Sequence, residues 1–189
     1  MLQEAYHRFC KVLGPRAGSA EARYAFGVNA ALLGFHDQAE RAFREAVALK
    51  PDYPWAHYCL GLVLALAGRQ QEGTHHLERA AAGLPRAVPV INALGRAYLR
   101  QGDHERAAER FEAALEIEPE LLSALRNLGT LHLKAGRHSQ AVGCLERAVA
   151  IVPDHPSTLR KLALAYLETG DQAKAEASMR RAMEIEGQP

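Results

Sequence analysis

Small and hydrophobic residues recur along the chain at three- and four-residue intervals, which is the spacing of amphipathic helices. Residues 91–98 (INALGRAY) and 106–114 (RAAERFEAA) both show it, with charged side chains on the opposite positions. The turn QGD at 101–103 lies between them, and its glycine suits the left-handed residue that ends a helix. The pattern predicts pairs of antiparallel amphipathic helices.

These helix pairs repeat with a fixed period. Prolines, two sets of glycines and a set of alanines each recur every 34 residues in one common register. The ladders are Pro51, Pro85, Pro119 and Pro153; Gly27, Gly61, Gly95 and Gly129; Gly34, Gly68, Gly102, Gly136 and Gly170; and Ala46, Ala80, Ala114, Ala148 and Ala182. Because a single hairpin cannot bury its own apolar face, the period predicts stacked neighbours.

The residues at these positions resemble the motif of the tetratricopeptide repeat (TPR) family. INALGRAY carries its Leu-Gly-x2-Tyr portion, while Ala39 with Phe43 and Ala107 with Phe111 carry its Ala-x3-Phe portion. The resemblance implies an all-α, right-handed α-solenoid of stacked helix-turn-helix hairpins. Its five repeats would span 20–53, 54–87, 88–121, 122–155 and 156–189.

Both ends of the chain are expected to be unusual. Residues 1–19 fit either an N-terminal capping helix or the second half of a truncated repeat, followed by a loop. At the other end, the face of Ala175, Met179, Ala182 and Met183 is expected to be partly open. This predicts either a fragment of a longer protein or self-association through the C-terminal end.

The residue totals argue against several classes of protein. A net charge of +1 lacks the basic excess typical of nucleic-acid binders, and no apolar run approaches the roughly 20 residues of a membrane span. The three cysteines are far apart and form no CxxC pair, which fits a reducing compartment. We therefore expect a cytoplasmic protein, and the excess of arginine over lysine and the abundant alanine hint at a bacterial one.

The segment GDHE at 102–105 is the strongest candidate for an acid/base or metal site. His104 occupies the same repeat position as His36 and His138, so we interpret it as positional, with Asp103 as a helix cap. The sequence has no Ser/His/Asp set, phosphate-binding loop or HExxH motif. It therefore predicts no enzyme, no cofactor and no metal site.

The TPR resemblance implies that the first helix of each repeat, helix A, lines a concave groove that holds a peptide. The candidate peptide-binding residues are aromatic or apolar in the first two repeats and polar or basic in the others. They are Tyr24, Trp55, Tyr58, Leu62, Asn92, Arg96, Arg100, Arg126, Asn127, Lys134, Arg160 and Lys161.

Charge is segregated by repeat phase in the last three repeats. Their helix A segments are basic, whereas most acids lie on the second helices, B. Because arginine suits contacts to carboxylates and phosphates, a partner with acidic residues is favoured. The alternatives are that these cations serve solubility and that Trp55 and Tyr58 only pack between helices.

Three classes of function follow. The favoured one is a protein–protein interaction scaffold whose groove binds an extended acidic and apolar peptide or partner segment. The second is a self-assembly module acting through open solenoid ends, and the third is the substrate-recruiting arm of a larger enzyme. Nucleic acid is not favoured as a partner, because the basic positions lack regular aromatic interleaving.

Overall fold

The computed structural model describes residues 18–187, which form ten α-helices and no β-strand within that range. None of these helices is long and apolar enough to cross a membrane. In chain order they are α1 (Ala20–Leu32), α2 (His36–Leu49), α3 (Pro54–Leu66), α4 (Gln70–Gly83), α5 (Val88–Gln101), α6 (His104–Ile117), α7 (Leu122–Lys134), α8 (His138–Ile151), α9 (Pro156–Thr169) and α10 (Gln172–Glu186).

Glycine turns end the odd-numbered helices, as the sequence predicts. Five glycines have φ between 70° and 85°, in the left-handed region, and no other described residue has a positive φ. They are Gly34, Gly68, Gly102, Gly136 and Gly170. The Asp171 carboxylate then accepts a hydrogen bond from the Lys174 backbone N–H at 3.2 Å and caps α10.

The chain divides into two compact units at Asp103. Within the first unit, consecutive helices from α1 to α5 pack against each other, and within the second unit consecutive helices from α6 to α10 do the same. Such neighbour-to-neighbour packing is that of an α-solenoid, so the predicted fold class is confirmed. The predicted repeat boundaries and N-terminal helix stay predictions, and residues 1–17 of the latter lie outside the described range.

Helices α3 and α4 approach each other closely in the first unit. A Cβ atom added to Gly61 would lie 2.8 Å from Leu77 Cγ and 2.9 Å from the Gly73 carbonyl oxygen. Both glycines are buried. Gly73, which departs from the alanine of the repeat pattern, is therefore explained by the contact between the two backbones.

The end of the second unit differs in part from the sequence prediction. Ala175 and Ala182 are buried, because these small residues lie on the face of α10 that packs against α9. The face that was predicted to be partly open is thus closed at these two alanines. Met179 is half-buried, and Met183 is 59% exposed.

One polar contact occurs in both units at equivalent positions. The Tyr98 hydroxyl donates a hydrogen bond to Glu78 Oε1 at 2.8 Å, and the Tyr166 hydroxyl donates one to Glu146 Oε1. In each case the tyrosine lies 20 residues after the glutamate, on the following helix A. In these two cases the contact thus links a helix B to the next helix A.

Candidate ligand-binding surfaces

An aromatic surface lies in the first unit, formed by Tyr24 of α1, Tyr53 of the loop before α3, and Trp55 and Tyr58 of α3. The Trp55 and Tyr58 rings meet edge to face with centroids 5.8 Å apart, and those of Tyr24 and Tyr53 are tilted at 5.2 Å. Trp55 remains 39% exposed, whereas the three tyrosines are half-buried. The rings thus form two contacting pairs, and the tryptophan of the Trp55–Tyr58 pair is accessible.

The tyrosines of the aromatic surface are neutral over the physiological range. Burial, reinforced by Cys59, raises the pKa of Tyr24 to about 12. Burial also raises the pKa of Tyr53 and of Tyr58, although Arg96 partly opposes it at Tyr58. The surface therefore offers apolar rings and hydroxyl groups rather than charge.

The other predicted site residues of the first unit border this surface or lie farther along α5. Leu62 is half-buried on α3, and Arg96 lies near enough to Tyr58 to affect its pKa. Asn92 is half-buried, and its Oδ1 atom has no hydrogen-bond partner within the described part of the chain. Arg100 is exposed near the end of α5.

A basic triad lies in the second unit, consisting of Arg126 and Lys134 on α7 and Lys161 on α9. Lys161 Nζ donates a hydrogen bond to Thr130 Oγ1 at 2.9 Å, which brings the lysine of α9 over the middle of α7. Arg126 and Lys134 lie four residues before and after Thr130, so they share its helix face. The triad thus gathers three cations around one hydroxyl group.

Within residues 18–187, the cations of the basic triad are not neutralised by ion pairs. Burial first, and then repulsion from Arg126 and Lys134, lowers the pKa of Lys161. Across residues 18–187, no carboxylate forms an ion pair with any of the three side chains. An anion that entered this site would relieve the repulsion and restore the pKa of Lys161.

Two further predicted residues of the second unit have different surroundings. Arg160 is exposed on α9, but its guanidinium pairs with the Glu186 carboxylate at the end of α10. The positive charge of Arg160 is therefore already neutralised by Glu186. Asn127 is half-buried on α7, beside Arg126 in the sequence.

Two histidines, His57 of α3 and His76 of α4, form a pair in the first unit. His57 is buried, and its Nε2 lies 2.9 Å from the Pro51 carbonyl oxygen. Because a carbonyl only accepts, this nitrogen carries the hydrogen, so His57 Nδ1 accepts from His76 Nδ1 at 2.8 Å. Burial, then His57 and His75, lowers the pKa of His76 to about 4. No motif or spacing in the sequence predicted this pair.

The GDHE segment borders a cleft of about 440 Å³ in the second unit. Its lining includes His104, Glu105, Glu109 and Glu112 of α6, and Lys134 of α7. Over the described part of the chain, no group of three or more histidine, cysteine or acidic residues is placed to hold a metal ion. The acids do place negative charge on one side of Lys134.

Sequence profiles identify the family. A profile described as tetratricopeptide repeat matches residues 92–156 and 126–187, and one described as TPR repeat matches residues 32–68. The chain belongs to the tetratricopeptide repeat family. TPR proteins are protein-interaction scaffolds, which agrees with the coarse function predicted from the sequence. Among curated proteins, none matches the sequence.

Solved TPR structures share the fold of this chain. YrrB, described as a TPR protein with an unusual peptide-binding site, is 17% identical with a TM-score of 0.83, over 94% of this chain and 91% of YrrB. MamA from Desulfovibrio magneticus RS-1 is 18% identical with a TM-score of 0.81, over 92% of this chain and 97% of that one. MamA AMB-1 is 23% identical with a TM-score of 0.81, over 90% of this chain and 93% of that one. At these identities the likeness concerns the fold.

Proposed function

We propose that this TPR protein binds a partner segment that carries both acidic and apolar side chains. The observation that carries the proposal is the basic triad, whose three positive charges have no ion-pair partner within the described residues. Charge-assisted hydrogen bonds to such a site contribute about 1.5–3 kcal/mol each when they are shielded from water. Acidic side chains of the partner segment would bring negative charge to this site.

The aromatic surface supports an apolar component of the ligand. Rigid aromatic rings provide large contact areas at low entropic cost, and tryptophan and tyrosine are enriched among residues that dominate binding energies. Trp55 is 39% exposed although it lies in an aromatic cluster, so a ligand can still cover it. YrrB, a TPR protein of similar fold, is described as having a peptide-binding site.

Charge reversal within the basic triad tests the acidic preference. We expect the double variant Arg126→Glu with Lys161→Glu to bind a dye-labelled peptide of alternating glutamate and leucine more than tenfold more weakly, measured by fluorescence anisotropy. Repulsion replaces attraction at both positions, and the effect should shrink as salt is added. Circular dichroism should show unchanged helical content.

A variant with the same change in net charge provides the matched control. Arg79→Glu with Arg180→Glu alters two exposed cations outside both candidate surfaces and should retain the affinity. If the two double variants lose the same affinity, the effect comes from net charge, and the assignment of the acidic ligand to the basic triad is wrong.

The emission of Trp55 reports separately on the apolar component, because the chain contains one tryptophan. We expect the glutamate–leucine peptide to shift this emission to shorter wavelength as it excludes water from the indole ring. A glutamate–serine peptide of equal charge should bind without that shift. Trp55→Ala should weaken binding of the first peptide about tenfold and leave the second unchanged. Equal effects on both peptides would argue against an apolar contact here.

A further inference from the structure

The basic triad presents more positive charge than one carboxylate can neutralise. Lys161 is held at 2.9 Å from Thr130, and Arg126 and Lys134 flank Thr130 on the same face of α7. A single carboxylate carries one negative charge and would leave most of the repulsion in place. The site therefore favours an anion of higher charge.

The three side chains can reach one common point above Thr130. At about 1.5 Å of rise per residue, Arg126 and Lys134 each lie about 6 Å from Thr130 along the axis of α7. An extended arginine or lysine side chain spans roughly that distance, and Lys161 already touches the threonine hydroxyl. One anion over Thr130 could thus receive hydrogen bonds from all three cations.

We propose that the basic triad binds a phosphate monoester carried by a side chain of the partner segment. This inference rests on the proposed function and names the anion that the same site recognises. A phosphorylated side chain carries a charge of about −1.5 to −2 near neutral pH and has three strong acceptor oxygens, one for each cation. Arg126 and Lys161 are its main ligands. Lys134 contributes less, because it also borders the cleft that contains Glu105 and Glu109.

The surroundings of the triad favour a phosphorylated protein segment over RNA. Single-stranded nucleic acid is usually bound where aromatic side chains stack on successive bases. Helix α7 has no phenylalanine, tyrosine or tryptophan, and the tyrosine of α9, Tyr166, is buried and hydrogen-bonded to Glu146. A lone phosphate with apolar neighbours, such as Leu164 at 47% exposure on α9, fits these residues better.

Matched peptides test the inference with the whole chain. The probes are three dye-labelled peptides of alternating leucine and glutamate whose central residue is serine, glutamate or phosphoserine. At pH 7.5 we expect the phosphoserine peptide to bind at least tenfold more tightly than the glutamate peptide. Arg126→Gln and Lys161→Gln should each remove most of this difference, Lys134→Gln a smaller part, and the surface variant Arg180→Gln none. Lys161→Arg, which keeps the charge, should preserve it.

The pH dependence separates phosphate from carboxylate recognition. The second proton of a phosphate monoester binds with a pKa of about 6, so its charge falls between pH 7.5 and 5.5. Over this range the advantage of the phosphoserine peptide should drop several-fold, while glutamate stays ionised. An advantage that does not change with pH would overturn the inference.

The same experiment distinguishes this inference from the proposed function. If the phosphoserine and glutamate peptides bind equally and both depend on Arg126 and Lys161, phosphate recognition is refuted and the acidic ligand stands. If none of the peptides binds, both proposals fail. Tighter binding of a uridine oligonucleotide than of the phosphoserine peptide would overturn the assignment to a protein segment.

Discussion

Gly61→Ala is expected to lower the free energy of unfolding by about 2 kcal/mol, since overpacking a tight core contact typically costs about 1–3 kcal/mol. The added Cβ would lie 2.8 Å from Leu77 Cγ and 2.9 Å from the Gly73 carbonyl oxygen. Neither atom can move aside easily, because Leu77 is buried and the oxygen belongs to the backbone of α4. Urea unfolding followed by circular dichroism measures the loss.

Gly143→Ala is the matched control for this substitution. Gly143 lies inside α8, is exposed, and would place its Cβ atom more than 4 Å from any atom of the neighbouring helices. Alanine is favoured over glycine within a helix by about 0.8–1 kcal/mol, so this variant should be slightly more stable. Equal stabilisation by both alanines would show that α3 and α4 are not in close contact at Gly61.

His76→Gln is expected to reduce the decrease in the free energy of unfolding that the protein shows when the pH is lowered. The pKa of His76 is lowered from 6.5 to about 4, mainly by burial and then by His57 and His75. Glu72 on α4 opposes this shift, and Arg44 on α2 adds to it. Glutamine can still donate a hydrogen bond to His57 but does not titrate in this range.

The direction of this effect follows from proton linkage. Above pH 6.5 the His76 imidazole is neutral in the folded and unfolded states, so its contribution is constant. As the pH falls from 6.5 towards 4, the unfolded chain binds the proton and the folded chain does not, so stability is lost. Because the side chain is half-buried, solvent screening reduces the loss to about 1–2 kcal/mol at pH 4.

His75→Gln is the control for His76→Gln, because it removes an exposed imidazole from the adjacent position. Free energies of unfolding between pH 7 and pH 4 should fall less in His76→Gln than in the unmodified protein or in His75→Gln. His132, whose pKa is also lowered by burial, should contribute part of the pH dependence of stability in all three proteins. If the free energy of unfolding falls equally with pH in all three proteins, the His57–His76 pair does not cause the loss of stability in acid.

The fold was predictable from the sequence because backbone geometry dictates its residue types. Glycine is required where φ is near 80°, as at Gly102, and small residues are required where helices touch, as at Gly61. Because these geometric requirements recur every 34 residues, the residue types that meet them form a repeat that can be detected in the sequence. Asp171 as a helix cap is predictable for the same reason, since its partner lies three residues away.

Side-chain contacts between distant positions were less predictable. Long, flexible side chains form them, and no repeat motif marks the residues involved. The periodicity placed Arg126 and Lys134 on one helix face, but it did not reveal that Lys161 reaches Thr130, 31 residues earlier. Nor did it show that Arg160 pairs with Glu186. Tyr53 was missed because it lies just before α3, outside the helical periodicity.

The paired tyrosine–glutamate contacts bear on how a gene of this kind can change length. Tyr98 and Tyr166 are 68 residues apart, twice the 34-residue period, and each bonds to a glutamate 20 residues before it. Duplication of a 34-residue unit that contains both residues, such as 70–103, adds a complete tyrosine–glutamate pair and keeps the existing pairs in register. Such a gene can therefore gain copies of this unit without a compensating mutation at the new junction.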